Sequence, residues 1–75
     1  MDVSIKTTWV KTQTGPQFKG YFVEIVFQGG SVATADAQKL YIDDKPAEPD
    51  FDYLYVEAKK IVVSEVAETV WIYTR

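Results

Sequence analysis

Neither cysteine nor histidine occurs among the 75 residues, and this double absence sets the terms on which the chain can fold. No disulfide can staple it, and no thiolate can hold a metal or attack a substrate. The commonest zinc ligand and general base is missing as well. A chain this short buries only about 60% of the surface its unfolded form exposes. Its stability therefore rests on a thin apolar core, with self-association or partner binding as the remaining reinforcement. A hydrophobic share of 47% and a charged share of 25% belong to a folded chain rather than a disordered one. One domain over residues 1–75 is expected.

Periodicity points mainly to strands. Over residues 3–13, Val3, Ile5, Thr7 and Trp9 alternate with Ser4, Lys6, Thr8 and Val10, the pattern of a half-buried strand. Thr14-Gly15-Pro16-Gln17 reads as the turn after it. Residues 18–28 carry Tyr21, Val23, Ile25 and Phe27 on one face and Phe22, Glu24 and Val26 on the other. With both faces largely apolar, this strand is expected at the centre of a sheet. It forms a hairpin with the first strand and ends at Gly29-Gly30.

The next stretch is ambiguous. Ala33, Ala37, Leu40 and Tyr41 fall at helical spacing, with Ser31 or Thr34 available as a cap. The spacing predicts a helix that stops near Tyr41 or Ile42; the alternative is a loop followed by a short strand over Lys39–Ile42. Residues 43–52 read as a loop because Pro46 and Pro49 oppose both helix and central strand. Strand character returns at Tyr53–Ala58, breaks at Lys59-Lys60, resumes at Ile61–Val63 and recurs at Thr69–Tyr73. The expected fold class is thus α+β: a small antiparallel sheet of four to five strands in β-β-α-β-β order, with one short helix packed on it.

Two constellations suggest function. Residues 43–52 hold Asp43, Asp44, Glu48, Asp50 and Asp52 against Lys45 alone, in a chain whose net charge is -3. The acidic charge is thus concentrated in one segment, suited to a basic partner surface. Calcium fits poorly, because the spacing lacks an EF-hand pattern and the prolines restrict how the carboxylates converge. The second constellation is the aromatic set, 15% of the chain. One sheet and one short helix cannot bury eleven rings, and exposed rings on a small protein mark an interface.

No serine has a histidine to activate it, Gly29-Gly30-Ser31 lacks the rest of a phosphate-binding loop, and an enzyme is not expected. No cofactor, metal or catalytic residue is assigned. The expected function is protein binding, as a small inhibitor, adaptor or accessory subunit; phage-encoded blockers of host nucleases offer a comparison by analogy alone. The expected contact residues are Asp43, Asp44, Glu48, Asp50, Asp52, Tyr53 and Tyr55, and the expected partner is a protein with a basic surface. One alternative is a structural homo-oligomer, a homodimer in the simplest case, assembled by strand-edge pairing. The other is single-stranded nucleic-acid binding, which an acidic chain of pI about 4.7 disfavours. The segment Met1-Asp2-Val3-Ser4 lacks a secretory pattern, and no apolar run approaches the ~18 residues of a membrane span. A cytoplasmic location is expected.

Overall fold

The computed structural model describes residues 1–75, which form eight strands and no helix. No helix is long and apolar enough to cross a membrane. The two segments with the clearest alternation become the longest strands, β1 (Asp2–Thr12) and β2 (Gly15–Val26). Their hairpin turns at Gln13-Thr14, since Gly15 and Pro16 already pair with Thr12 and Lys11. A proline is tolerated there because it sits at the start of its strand. β3 (Val32–Ala37) lies antiparallel beside β2, and β6 (Tyr53–Glu57) antiparallel beside β1, giving the order β3-β2-β1-β6. The second sheet comprises β4 (Lys39–Ile42), β5 (Lys45–Pro46), β7 (Lys60–Ser64) and β8 (Thr69–Tyr73) in the order β5-β4-β8-β7.

This architecture corrects the α+β expectation to all-β. Residues 33–42 form two strands, and β4 pairs parallel with β8, so the sheets are not wholly antiparallel either. Two competing periods coexist in Val32–Ala37. Ala33 and Ala35 are half-buried and Ala37 is buried, while Val32, Thr34 and Asp36 are exposed, which is strand alternation with unusually small inward residues. Pairing with β2 and β8 overrides the helical propensity of the alanines. The segment 43–52 is also more ordered than a loop: Asp43 and Asp44, at φ 49° and 65°, form the tight turn of a hairpin that pairs Ile42 with Lys45 and Tyr41 with Pro46.

Two corners join the sheets into a barrel. Only Gln38 separates β3 from β4, and only Ala58 and Lys59 separate β6 from β7. At the first corner, the N–H groups of Gln38 and Lys39 both donate to Glu68 O, at 2.8 and 3.1 Å. At the second, Ala58 N donates to Met1 O and Lys59 N to Tyr73 O, each at 2.8 Å. With each bent pair taken as one strand, neighbours run β1, β2, β3–β4, β8, β6–β7 and back to β1. This is the five-stranded Greek-key connectivity of OB-fold barrels.

The barrel interior is the core. Val3, Ile5, Tyr21, Val23 and Ile25 from the first sheet meet Leu40, Val70 and Ile72 from the second, with Ala37 and Ala58 at the corners. Beyond the core, β1 loses β6 after Lys6 and β2 has no β3 partner before Tyr21, so residues 9–18 project as a two-stranded arm. A bulge starts the arm: Thr8 pairs with Gly20 but Trp9 with Phe18, leaving Lys19 as the extra residue. The extra residue switches which β2 side chains face inward, so Phe18 joins Tyr21 on the core side. The rings of Trp9, Phe18, Tyr21 and Phe51 then follow one another at 5.3, 4.9 and 6.1 Å between centroids.

Candidate interaction surface

The outer face of the first sheet is set by strand register. Residues opposite one another on paired strands share a face. One row therefore reads Asp36, Phe22, Lys6, Tyr53; the next Thr34, Glu24, Ser4, Tyr55; the third Val32, Val26, Asp2, Glu57. Three rings stand out from this face: Phe22 at 37% exposure, Tyr53 at 53% and Tyr55 at 53%. Within these three rows the charged groups are the carboxylates of Asp2, Glu24, Asp36 and Glu57 and the single ammonium of Lys6. Ser4, Lys6, Phe22, Glu24 and Tyr53 line a shallow concavity of about 270 Å³.

The tyrosines are held in place. Tyr53 OH and Ser4 Oγ share a hydrogen bond of 3.1 Å, and Tyr55 OH donates to Asp2 Oδ1 at 2.7 Å. The bond to Asp2 holds the Tyr55 phenol protonated and raises its pKa, with partial burial adding to the effect. Both rings thus present a fixed apolar body with the hydroxyl engaged, the form in which aromatic side chains contribute contact area at low entropic cost.

The seven expected contact residues do not form one cluster. Asp43 serves the fold: its carboxylate accepts from Thr74 N at 2.8 Å and from Thr74 Oγ1 at 2.5 Å. These bonds hold its pKa below the ordinary carboxylate value. Asp44 accepts from Tyr73 OH at 3.3 Å. Both sit at the β4–β5 turn, on the second sheet. Glu48, Asp50 and Asp52 lie on the crossing from β5 to β6, and this crossing is anchored to the body by Tyr21 OH donating to Ala47 O at 3.0 Å. Burial raises the Tyr21 pKa, and the charges of Glu48 and Asp50 push it the same way. Asp52 leads directly into Tyr53, and its carbonyl accepts from Thr7 N at 3.3 Å. Asp50 and Asp52 therefore approach the tyrosine face along the chain, whereas Asp43 and Asp44 belong to another part of the surface. No three acidic side chains converge as a metal site would require.

Asp2, Ser4, Lys6, Phe22 and Glu24, from β1 and β2, share this face and are not among the expected contacts. Their signal was the alternation already visible in β1 and β2, which identifies the outward residues once the inward ones are assigned. The pairing that places Tyr53 beside Lys6 and Tyr55 beside Ser4 spans some fifty residues of sequence, and no local pattern announces it. The second sheet has an outer stripe of its own, where Tyr41 and Trp71 stack at 6.2 Å and Lys60 Nζ lies 5.7 Å from the Tyr73 ring centroid. Its rings are half-buried rather than exposed. Comparison with family models, with characterised proteins and with solved structures finds no match to this chain.

Proposed function

We propose that this protein is a small intracellular protein-binding module, and that the outer face of the first sheet is its contact surface. What carries the proposal is one coincidence: Phe22, Tyr53 and Tyr55 share a face with four carboxylates and a single lysine. Desolvated rings supply binding energy at the centre of an interface, and the surrounding acids steer association toward a basic partner. Asp50 and Asp52, entering β6 beside Tyr53, extend the negative field.

OB-type barrels often use the face of their second and third strands for oligonucleotides, but that use needs a cationic groove beside the rings. Here the corresponding face offers Glu24 and Asp36 beside Phe22, which favours a basic protein surface over a phosphate backbone. The connectivity alone assigns no function.

The test is capture of a partner from the native host, followed by binding at several salt concentrations. Reversal of Asp50 and Asp52 to Lys weakens capture and flattens its salt dependence. Truncation of Tyr53 and Tyr55 to Ala weakens capture at every salt concentration. Unchanged binding in both variants removes this face from the account.

A further inference from the structure

The geometry points to a second contact surface, the free edge of β7, as the site where two copies of this chain pair antiparallel about Val62. β7 has β8 on one side and no strand of this chain on the other. Ile72 O accepts from Asp43 N on the β4 side of β8. Backbone groups alternate in direction along a strand, so Thr69, Trp71 and Tyr73 face β7. Register pairs these three with Ser64, Val62 and Lys60. The N–H and C=O groups of Ile61 and Val63 are therefore the ones aimed at the open edge.

The side chains favour one register. Val62 and Val63 are 39% and 43% exposed on opposite faces of the strand. The strand is preceded by Lys59, begins with Lys60, and is followed by Glu65. Centring the two-fold axis on Val62 puts Ile61 opposite Val63 of the second copy, as a pair that exchanges both backbone hydrogen bonds. Val62 then meets its own counterpart in the closer, non-hydrogen-bonded position. Lys59, at the corner before β7, and Glu65, in the turn after it, then lie at the same end of the paired segment, one from each copy. A two-fold contact is self-complementary in this way only if the edge carries opposite charges at its two ends.

The other edges lack these properties. β5 has two residues, one of them Pro46. β3 turns Val32, Thr34 and Asp36 outward and carries no cation. β6 ends at Glu57 and follows Asp50 and Asp52, with no cation of its own. Lysines on an edge strand ordinarily deter pairing, yet in this register Lys60 faces Ser64, and Lys59 at the corner gains the Glu65 of the other copy as an acidic neighbour. A five-residue edge buries less than the roughly 1,200–2,000 Å² of a stable interface, so the dimer is reversible.

Sedimentation of the whole chain from about 5 μM to about 500 μM tests this pairing. The expected result is a mass rising from the 8.5 kDa of one chain toward twice that value. Val63→Pro removes an N–H that points away from β8, so circular dichroism stays that of the parent while dimerisation is lost. Lys59→Glu or Glu65→Lys alone weakens the dimer by about tenfold, and the two together restore it to within about threefold. The charge exchange decides the matter even if the proline variant folds poorly. A parent chain that stays at 8.5 kDa throughout, or single and double charge variants that dimerise alike, overturns the proposal. Neither result bears on the outer face of the first sheet, which lies on different strands.

Discussion

Replacing Gly20 with alanine tests how the barrel closes. Gly20 adjoins the β2 bulge at φ +149° and packs against the corner where β3 becomes β4. A Cβ added there would lie 2.9 Å from Ala37 O and 3.1 Å from Gln38 Nε2. The amide could swing away, at the loss of its hydrogen bond to Lys19 O. The carbonyl belongs to the corner backbone and cannot move without displacing buried Ala37. Backbone strain of about 1–3 kcal/mol at such a φ adds to that displacement. A gain of roughly 0.4–1 kcal/mol from the stiffer unfolded chain offsets part of it, so the net loss is about 2–3 kcal/mol. In a domain this size each 1 kcal/mol shifts the melting temperature by about 4–8 °C, so a fall of roughly 10–20 °C is expected. Two other glycines serve as controls in the same thermal assay. Gly15→Ala carries strain at φ +117° but meets no atom within 4 Å, and Gly29→Ala has neither problem. The expected order of stability is Gly29→Ala, then Gly15→Ala, then Gly20→Ala. A Gly20→Ala protein that melts with the Gly29→Ala control would refute the close approach at this corner.

Three further outcomes follow from the core and the loop it anchors. Ile72→Ala, at a fully buried position, leaves a cavity that costs about 2–5 kcal/mol by urea unfolding; a loss under about 1 kcal/mol would contradict the placement of this residue between the sheets. Tyr21→Phe removes the bond to Ala47 O and costs about 1 kcal/mol, with faster amide exchange confined to residues 47–52; unchanged exchange there would show that the bond does not anchor the crossing. Alkali destabilises through the same residue. The Tyr21 pKa is raised in the folded state, so its contribution is complete below the ordinary phenol value of 10.0 and is lost as pH rises through the folded value. Thermal melts between about pH 8 and about pH 12 check this, and a flat melting temperature across that range would contradict it.

Strand positions were legible wherever β-branched and aromatic residues alternate with polar ones. β8 falls where its sequence places it, at Thr69–Tyr73, and β1, β2, β6 and β7 lie within a few residues of theirs. The helix expected over residues 33–41 failed for a specific reason. Alanines at 33, 35 and 37 satisfy the strand period, while Ala33, Ala37, Leu40 and Tyr41 satisfy the helical one, and the choice lies in β2 and β8, which a local window does not contain. The two-residue strand at Lys45–Pro46 was hidden because prolines read as breakers, although an edge position tolerates them. The excess of rings over core volume was legible from composition and length: of eleven rings only Tyr21 is buried. Which rings share a face was not, because that depends on the register of β6 against β1.

The outer face of the first sheet is tested most directly by titrating isotopically labelled protein with the purified partner and following backbone amide shifts. The account predicts that the largest changes gather on Ser4, Lys6, Phe22, Glu24, Tyr53 and Tyr55, with Asp50 and Asp52 at the margin. Changes confined to the arm at residues 9–18, or to Tyr41, Val62 and Trp71 on the second sheet, would contradict it.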